Sequence, residues 1–220
     1  MRTNRTSRSF LPTRRRDAMA FAPTVAALAL CVILANCGAA RPVKYYTLVG
    51  TPSASSSNAA APIPVTLLLG HITAPHLYRD DRIVYGMGPV ELGEYEDHRW
   101  AEMPTDMIEQ VLLNDLRAAG QYRDVERQSS NAKGDYVLRG HLIALDEVDT
   151  PAMAARFAME VELFDPKAGG IVWSQTYSHD EPVNGKKIAV IVEAMQTNVH
   201  AGVQQLVSAL GQYVASHPRS

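Results

Sequence analysis

The chain has 220 residues, 46% of them hydrophobic and 20% charged, with a formal net charge of −2 and two cysteines. This is a globular composition that excludes collagen-like and disordered chains, and the near-neutral charge argues against a nucleic-acid partner. The charge is unevenly spread: residues 1–36 hold six arginines against Asp17 alone, leaving residues 37–220 with fifteen basic and twenty-two acidic residues, a balance of −7.

A basic start feeding an apolar run is the layout of an export signal. The uninterrupted apolar part, Val25 to Ala35, falls well short of the roughly 20 residues a spanning helix needs. It stops at Leu34-Ala35-Asn36-Cys37-Gly38, which resembles the lipobox of bacterial lipoproteins, although Asn36 stands where Gly, Ala or Ser is usual. The resemblance implies that residues 1–36 are a lipoprotein signal peptide and that Cys37, acylated, becomes the mature N-terminus. It also implies outer-membrane sorting, because Gly38 and not Asp follows the cysteine. Three acyl chains exceed the two signals that stable anchoring requires. Cys31 lies inside the apolar run and leaves with the signal, so no intrachain disulfide remains possible. No Phe-Leu follows Arg14-Arg15-Arg16 at the twin-arginine offset, which points to ordinary export.

Lys44 to Val49 is β-prone by its aromatic and branched content. About residues 50–62 the chain is uncharged and rich in Ser, Ala, Pro and Asn, a flexible loop by composition. Its position between two β-like segments predicts that Tyr45 to Leu48 joins the sheet as a separate strand. Val65 to Ile72 is apolar on both faces, as in a central strand covered on both sides. Arg82 to Tyr85 is a further strand candidate, and Gly86 to Glu91 reads as a turn. Val90 to Trp100 alternates unevenly. Pro104 and Asp106 open a helix with Ile108, Val111, Leu112, Leu116 and Ala119 at helical spacing, ended by Gly120. Tyr136 to Leu145 is a strand with Tyr136, Leu138, Leu142 and Ala144 on one side. Ala155, Phe157, Met159, Val161 and Leu163 keep a strict two-residue period, and Asp165 to Gly170 turns the chain into a paired strand over Ile171 to Ser178. Ile188, Val192, Met195, Val199, Val203, Leu206, Leu210 and Tyr213 follow the helical period. Gly202 and the lack of regular flanking charge pairs favour a helix packed on a sheet over a coiled-coil seam. The expected fold is a single α/β domain of α+β type, with a mixed or mostly antiparallel sheet and two main helices. It occupies residues 37–216, with 217–220 as a tail.

Motifs for catalysis are absent. Asn184-Gly185-Lys186-Lys187 lacks the upstream glycine and the Ser or Thr of a P-loop, and Gly86-Met87-Gly88-Pro89 fails the dinucleotide pattern. No Gly-x-Ser-x-Gly, Cys-x-x-Cys or His-Glu-x-x-His occurs, and His71 and His76, separated across Pro75, lack the alignment for a shared ion. No cofactor, metal site or catalytic residue is assigned. The densest polar cluster is Glu94, Glu96, Asp97 and His98. As closely spaced carboxylates it offers an alternative reading, a periplasmic hydrolase, but strand alternation turns Glu94 and Glu96 to solvent.

Several segments taken together resemble one family. Tyr45-Tyr46-Thr47-Leu48 soon after a lipobox cysteine, Pro75-His76-Leu77-Tyr78-Arg79-Asp80-Asp81-Arg82-Ile83-Val84, and His98-Arg99-Trp100-Ala101-Glu102 with Pro104 are similar to the ABC-type transport auxiliary lipoproteins, the group that includes paraquat-inducible protein C. The Tyr-Leu-Asp-Arg run is reordered here to Leu77-Tyr78-Arg79-Asp80, and Met103 is inserted before the proline. The resemblance implies a non-enzymatic, lipid-anchored docking or channel-forming component on the periplasmic face of the outer membrane. It further implies a homo-oligomeric ring and a mammalian-cell-entry domain protein of an ABC lipid transport system as partner. A purely structural envelope lipoprotein is the other alternative. Tyr45, Tyr46, Arg99 and Trp100 are the candidate partner or oligomer contacts. For Arg99 and Trp100 the competing role is holding the domain together, and strand alternation buries only one of the two tyrosines.

Overall fold

A strand flanked on both edges organises the molecule. The computed structural model describes residues 42–48, 61–88, 90–129 and 131–218; the signal segment, Cys37 and most of the loop about 50–62 lie outside them. The strands are β1 (Lys44–Tyr46), β2 (Ile63–Thr73), β3 (Arg82–Gly86), β4 (Leu92–Trp100), β5 (Tyr122–Arg127), β6 (Tyr136–Val148), β7 (Ala154–Asp165) and β8 (Gly170–Pro182). The helices are α1 (Pro104–Ala118) and α2 (Ile188–Ser216), with a 3₁₀ turn at His76–Tyr78.

One edge of β6 is shared: its first half pairs with β2 and its last residues with β3, both parallel. Its other edge pairs antiparallel with β7 along its length, and β7 with β8. On the far side β5 pairs parallel with β2, β4 antiparallel with β3, and β1 parallel with β4. The result is a mixed eight-stranded sheet carrying two helices, an α+β domain.

The two-residue period of β7 is realised in full: Ala155, Phe157, Met159, Val161 and Leu163 are all at most 1% exposed. Asp165 to Gly170 is the expected turn. The Asp165 carboxylate accepts from the Lys167 amide at 2.8 Å, and Gly169 sits at φ +71°, a conformation that costs glycine least. In β6 the expected side assignment holds for Tyr136, Leu138 and Leu142. It fails at Ala144, because a register irregularity between Leu142 and Ala144 advances the phase and brings Leu145 into the core.

Pro104 supplies the first turn of α1, where its missing N–H is no loss, and Gly120 at φ +61° follows the end of the helix. The apolar stripe of α2 lies on β7 and β8, as expected of a helix packed on a sheet. Its contact is close at Gly202, where a Cβ would stand 2.6 Å from the Tyr177 ring and 2.8 Å from that of Phe157. Asn198, fully buried, ties α2 to the sheet. Its Nδ2 donates to the Ala155 and His179 carbonyls, both at 2.8 Å, and its Oδ1 accepts from the Tyr177 hydroxyl at 2.7 Å. Two elements lacked a sequence signal, the 3₁₀ turn and β5. In β5 only Tyr122 and Val125 are buried, at every third position.

Candidate functional site

The segments that carry the family resemblance converge on β1, β3, β4 and the 3₁₀ turn. β1 is short and would be marginal alone. It is held by pairing to β4, with Tyr45 opposite Arg99 and Tyr46 opposite Trp100, and by the Ala101 amide donating to the Tyr46 carbonyl at 2.6 Å. The Tyr46 hydroxyl meets His98 Nδ1 at 3.0 Å. Burial, then the charge of Asp97, raises the Tyr46 hydroxyl above the usual tyrosine range. Beyond the strand, Leu48 is buried and its amide lies 3.5 Å from the Met107 sulfur of α1. Each side chain of the Tyr45-Tyr46 pair therefore has its own fate: Tyr45 is 64% exposed and Tyr46 half-buried.

Trp100 is 1% exposed and belongs to the hydrophobic core. Strand alternation at the end of β4 turns its ring inward, which is the packing role expected of it beside that of a partner contact. Its amide donates to the Asp81 carbonyl at 2.6 Å. The Arg99 guanidinium binds the Asp81 carboxylate at 2.6 Å, and this hydrogen bond, with the charge of Asp81, raises the Arg99 pKa further. The segment before β3 is thus stitched to the end of β4 by both main chain and side chain.

The carboxylates of the β4 cluster are held differently, and only Glu94 is paired across strands. Glu94 accepts from Arg82 of β3 at 3.0 Å, Asp97 lies 3.7 Å from His98 Nε2, and Glu96 is exposed. Tyr95 donates to Glu147 of β6 at 2.6 Å; burial, then that hydrogen bond, raises its hydroxyl. Tyr95 and His98, with Tyr85 and Tyr46, form a ladder of rings. Centroids are 4.8 Å apart for Tyr85 and Tyr95, 5.7 Å for Tyr95 and His98, and 5.6 Å for His98 and Tyr46.

The sequence did not point to a cavity of about 410 Å³ where β6 meets the β3–β4 turn, lined among others by Tyr78, Leu92, Asp146, Val148 and Arg156. Asp146, Arg156 and Asp180 stand directly opposite one another on β6, β7 and β8. Arg156 donates to both Asp180 oxygens, at 2.9 and 3.1 Å, and this holds Asp180 below the usual carboxylate range. Asp146 is 2% exposed and accepts from the Tyr78 hydroxyl at 3.3 Å. Burial raises its pKa to about 6 against the opposing pull of Arg156. The available signal was a pair of carboxylates, Asp146-Glu147, continuing an apolar strand toward Val148.

A second polar hollow of about 540 Å³ opens over β2, β6 and β7, with His71, Arg139, His141, Glu160 and Glu162 in its lining. Three of its groups are engaged within the chain: His141 meets the Thr73 hydroxyl at 2.9 Å, Ser174 donates to Glu160 at 3.0 Å, and the Arg139 guanidinium lies 4.3 Å from the Phe164 ring centre. Among the described residues no three His, Cys, Asp or Glu side chains are placed to hold a metal ion, and no helix is long and apolar enough to cross a membrane.

Two solved structures are similar over the whole domain. A protein from Xanthomonas campestris has a TM-score of 0.70 at 20% identity, covering 80% of this chain and 99% of its own. An uncharacterized protein has a TM-score of 0.58 at 13% identity, covering 79% and 99%. At these identities the likeness concerns the fold. No protein of curated function matches the chain at a significant level. The model of the family described as ABC-type transport auxiliary lipoprotein component matches residues 46–207, from the last residue of β1 to the body of α2. With that match covering well over half of the chain, the chain belongs to the ABC-type transport auxiliary lipoprotein component family.

Proposed function

We propose that this protein is the lipid-anchored, non-catalytic auxiliary of an envelope ABC transport system that moves lipid, serving as its docking or channel-forming component. Cys37 carries the acyl chains and holds the domain, residues 37–216, on the periplasmic face of the outer membrane. A mammalian-cell-entry domain protein is its partner, and copies of the chain assemble into a ring. The observation that carries this reading is the family match over residues 46–207. The lipobox-like Leu34-Ala35-Asn36-Cys37, a few residues before β1, supports the anchor.

Within this reading the partner or oligomer contact centres on Tyr45, an exposed aromatic on a strand at the margin of the sheet. Aromatic and arginine side chains dominate interface energetics. Tyr46 and Arg99 present it, the first through His98 and the second through Asp81, with Trp100 as the packed support beneath. Extraction in mild detergent followed by native mass measurement tests the proposal. The expected result is a defined oligomer with acyl mass on Cys37 and a co-purifying mammalian-cell-entry protein, weakened by Tyr45→Ala. A monomer with neither acyl mass nor partner overturns it.

A further inference from the structure

The register of β1 points its N-terminal end toward an exposed apolar turn. β1 runs parallel to β4 with Lys44 opposite His98, so its N-terminal end faces back along β4 toward Leu92 and the β3–β4 turn. At roughly 3.3 Å per residue, the stretch of β4 from His98 back to Leu92 spans about 20 Å. Cys37 precedes Lys44 by so few residues that its reach from the strand is at most about 25 Å at full extension. A group attached at Cys37 is confined to a zone around that end of β1, which reaches Leu92 at the base of the turn.

The turn is built to present side chains. The Met87 amide donates to the Glu91 carbonyl at 2.8 Å, and the Gly88 amide to the Asp149 carboxylate at 3.0 Å, with Gly88 at φ +83°. From it project Met87, 44% exposed, Val90, 93% exposed, and Leu92, 49% exposed. Apolar side chains clustered at the tip of a fixed hairpin mark an interaction surface more than scattered ones do. Glu91 is the one charged residue between Met87 and Leu92, so the tip offers no basic group to an anionic headgroup. Another exposed aliphatic, Ile171 at 51%, lies at the start of β8. That is the opposite end of the β6–β7–β8 ladder from Val148, which pairs with Gly86 beside the turn.

We infer that the β3–β4 turn, through Met87, Val90 and Leu92, rests in the interfacial layer of the same bilayer that holds the acyl chains of Cys37. The inference depends on the lipid-anchor reading above. The contact is apolar and shallow, and by itself it is weak; the covalent chains keep the tip at the surface, as one signal reinforces another in peripheral anchoring. It fixes the tilt of the domain and brings the cavity that Val90, Leu92 and Asp146 line to the membrane-facing end.

The test uses the full-length acylated protein in phosphatidylcholine vesicles whose acyl chains carry bromine. Val90→Trp replaces an almost fully exposed side chain and leaves the core untouched, and Ile171→Trp serves as the distal control. The expected result is blue-shifted emission from the added tryptophan of Val90→Trp, quenched by the bromolipid, with Ile171→Trp unquenched above the wild-type background of Trp100 and Trp173. The quenching stays the same when phosphatidylglycerol replaces part of the lipid. Acylated protein that floats with the vesicles while Val90→Trp is no more quenched than Ile171→Trp overturns this inference and leaves the anchor standing. Protein that lacks acyl mass and does not float overturns both.

Discussion

The two halves of β6 are built on different chemistry. From Tyr136 to Leu142 the strand pairs with β2 and β7 and turns Leu138 and Leu142 toward the core. There the seam between sheet and helices is lined by Leu112, Leu116, Val161, Leu206 and Leu210. From Leu145 to Val148 it pairs with β3 and carries two consecutive buried carboxylates, Asp146 and Glu147. The apolar half gains stability from area and tolerates shape-conserving exchange. The polar half is directional: Asp146 takes the Tyr78 hydroxyl of the 3₁₀ turn, Glu147 takes Tyr95 of β4, and nearby Asn198 takes Tyr177 and two carbonyls. Each bond selects one neighbouring element, so this end specifies which parts of the chain meet, at the cost of buried polar groups that must stay paired.

Substitutions separate the two kinds of contribution. The largest effect is expected in the apolar half: Leu138→Ala opens a cavity under both helices and lowers stability by about 2–5 kcal/mol in urea unfolding. Asn198→Ala removes three hydrogen bonds and leaves buried groups unpaired, which costs about 2–4 kcal/mol. Asn198→Asp should not rescue it, because the two carbonyls need the amide donor. Asp146 should act in the opposite sense. Its folded pKa of about 6 lies above the ordinary carboxylate value, so the folded state holds the proton more tightly. Stability is therefore fully present below about pH 4 and falls as pH rises through 6, by up to about 3 kcal/mol. Asp146→Asn is expected to be more stable than the wild type near pH 7.5, with the gap closing toward pH 4. A gap independent of pH would break the assignment. The smallest effect is at the turn: Val90→Asp, on a side chain 93% exposed, should change unfolding by no more than about 0.5 kcal/mol.

The same contrast explains what could be read from the residues. β7 and both helices are legible from their apolar spacing, β2 from its uninterrupted apolar run, and β8 from the hairpin turn with its Asp and Gly. β5 is not, because a six-residue strand at the sheet margin buries only Tyr122 and Val125 and spends Arg123 and Arg127 on neighbours. The phase change after Leu142 is equally silent, since a bulge leaves no compositional trace. At the candidate site, the short strand containing Tyr45 and Tyr46 follows from aromatic content and from the family resemblance. The inward turn of Trp100 is one of the two roles its sequence leaves open, whereas the cavity around Asp146 depends on partners distant in sequence, Tyr78, Arg156 and Asp180. Buried polar contacts carry no period, so the most specific part of the molecule is also the least visible in the chain.

The shared edge of β6 also has a kinetic consequence. β6, β7 and β8 follow one another as antiparallel neighbours, and such local contacts close early and cheaply. The parallel pairings do not: Leu67 must wait for Tyr136 and Val84 for Asp146, so β2 and β3 cannot complete their ladders until a strand far downstream exists. A chain emerging from its N-terminus first therefore exposes its most apolar strand, Ile63–Thr73, before the template for it has formed. The expected order of assembly is therefore the reverse of the order of synthesis, with the β6–β7–β8 meander as the nucleus. Probes of early structure should light up Phe157 and Met159 before Leu67 and Leu69.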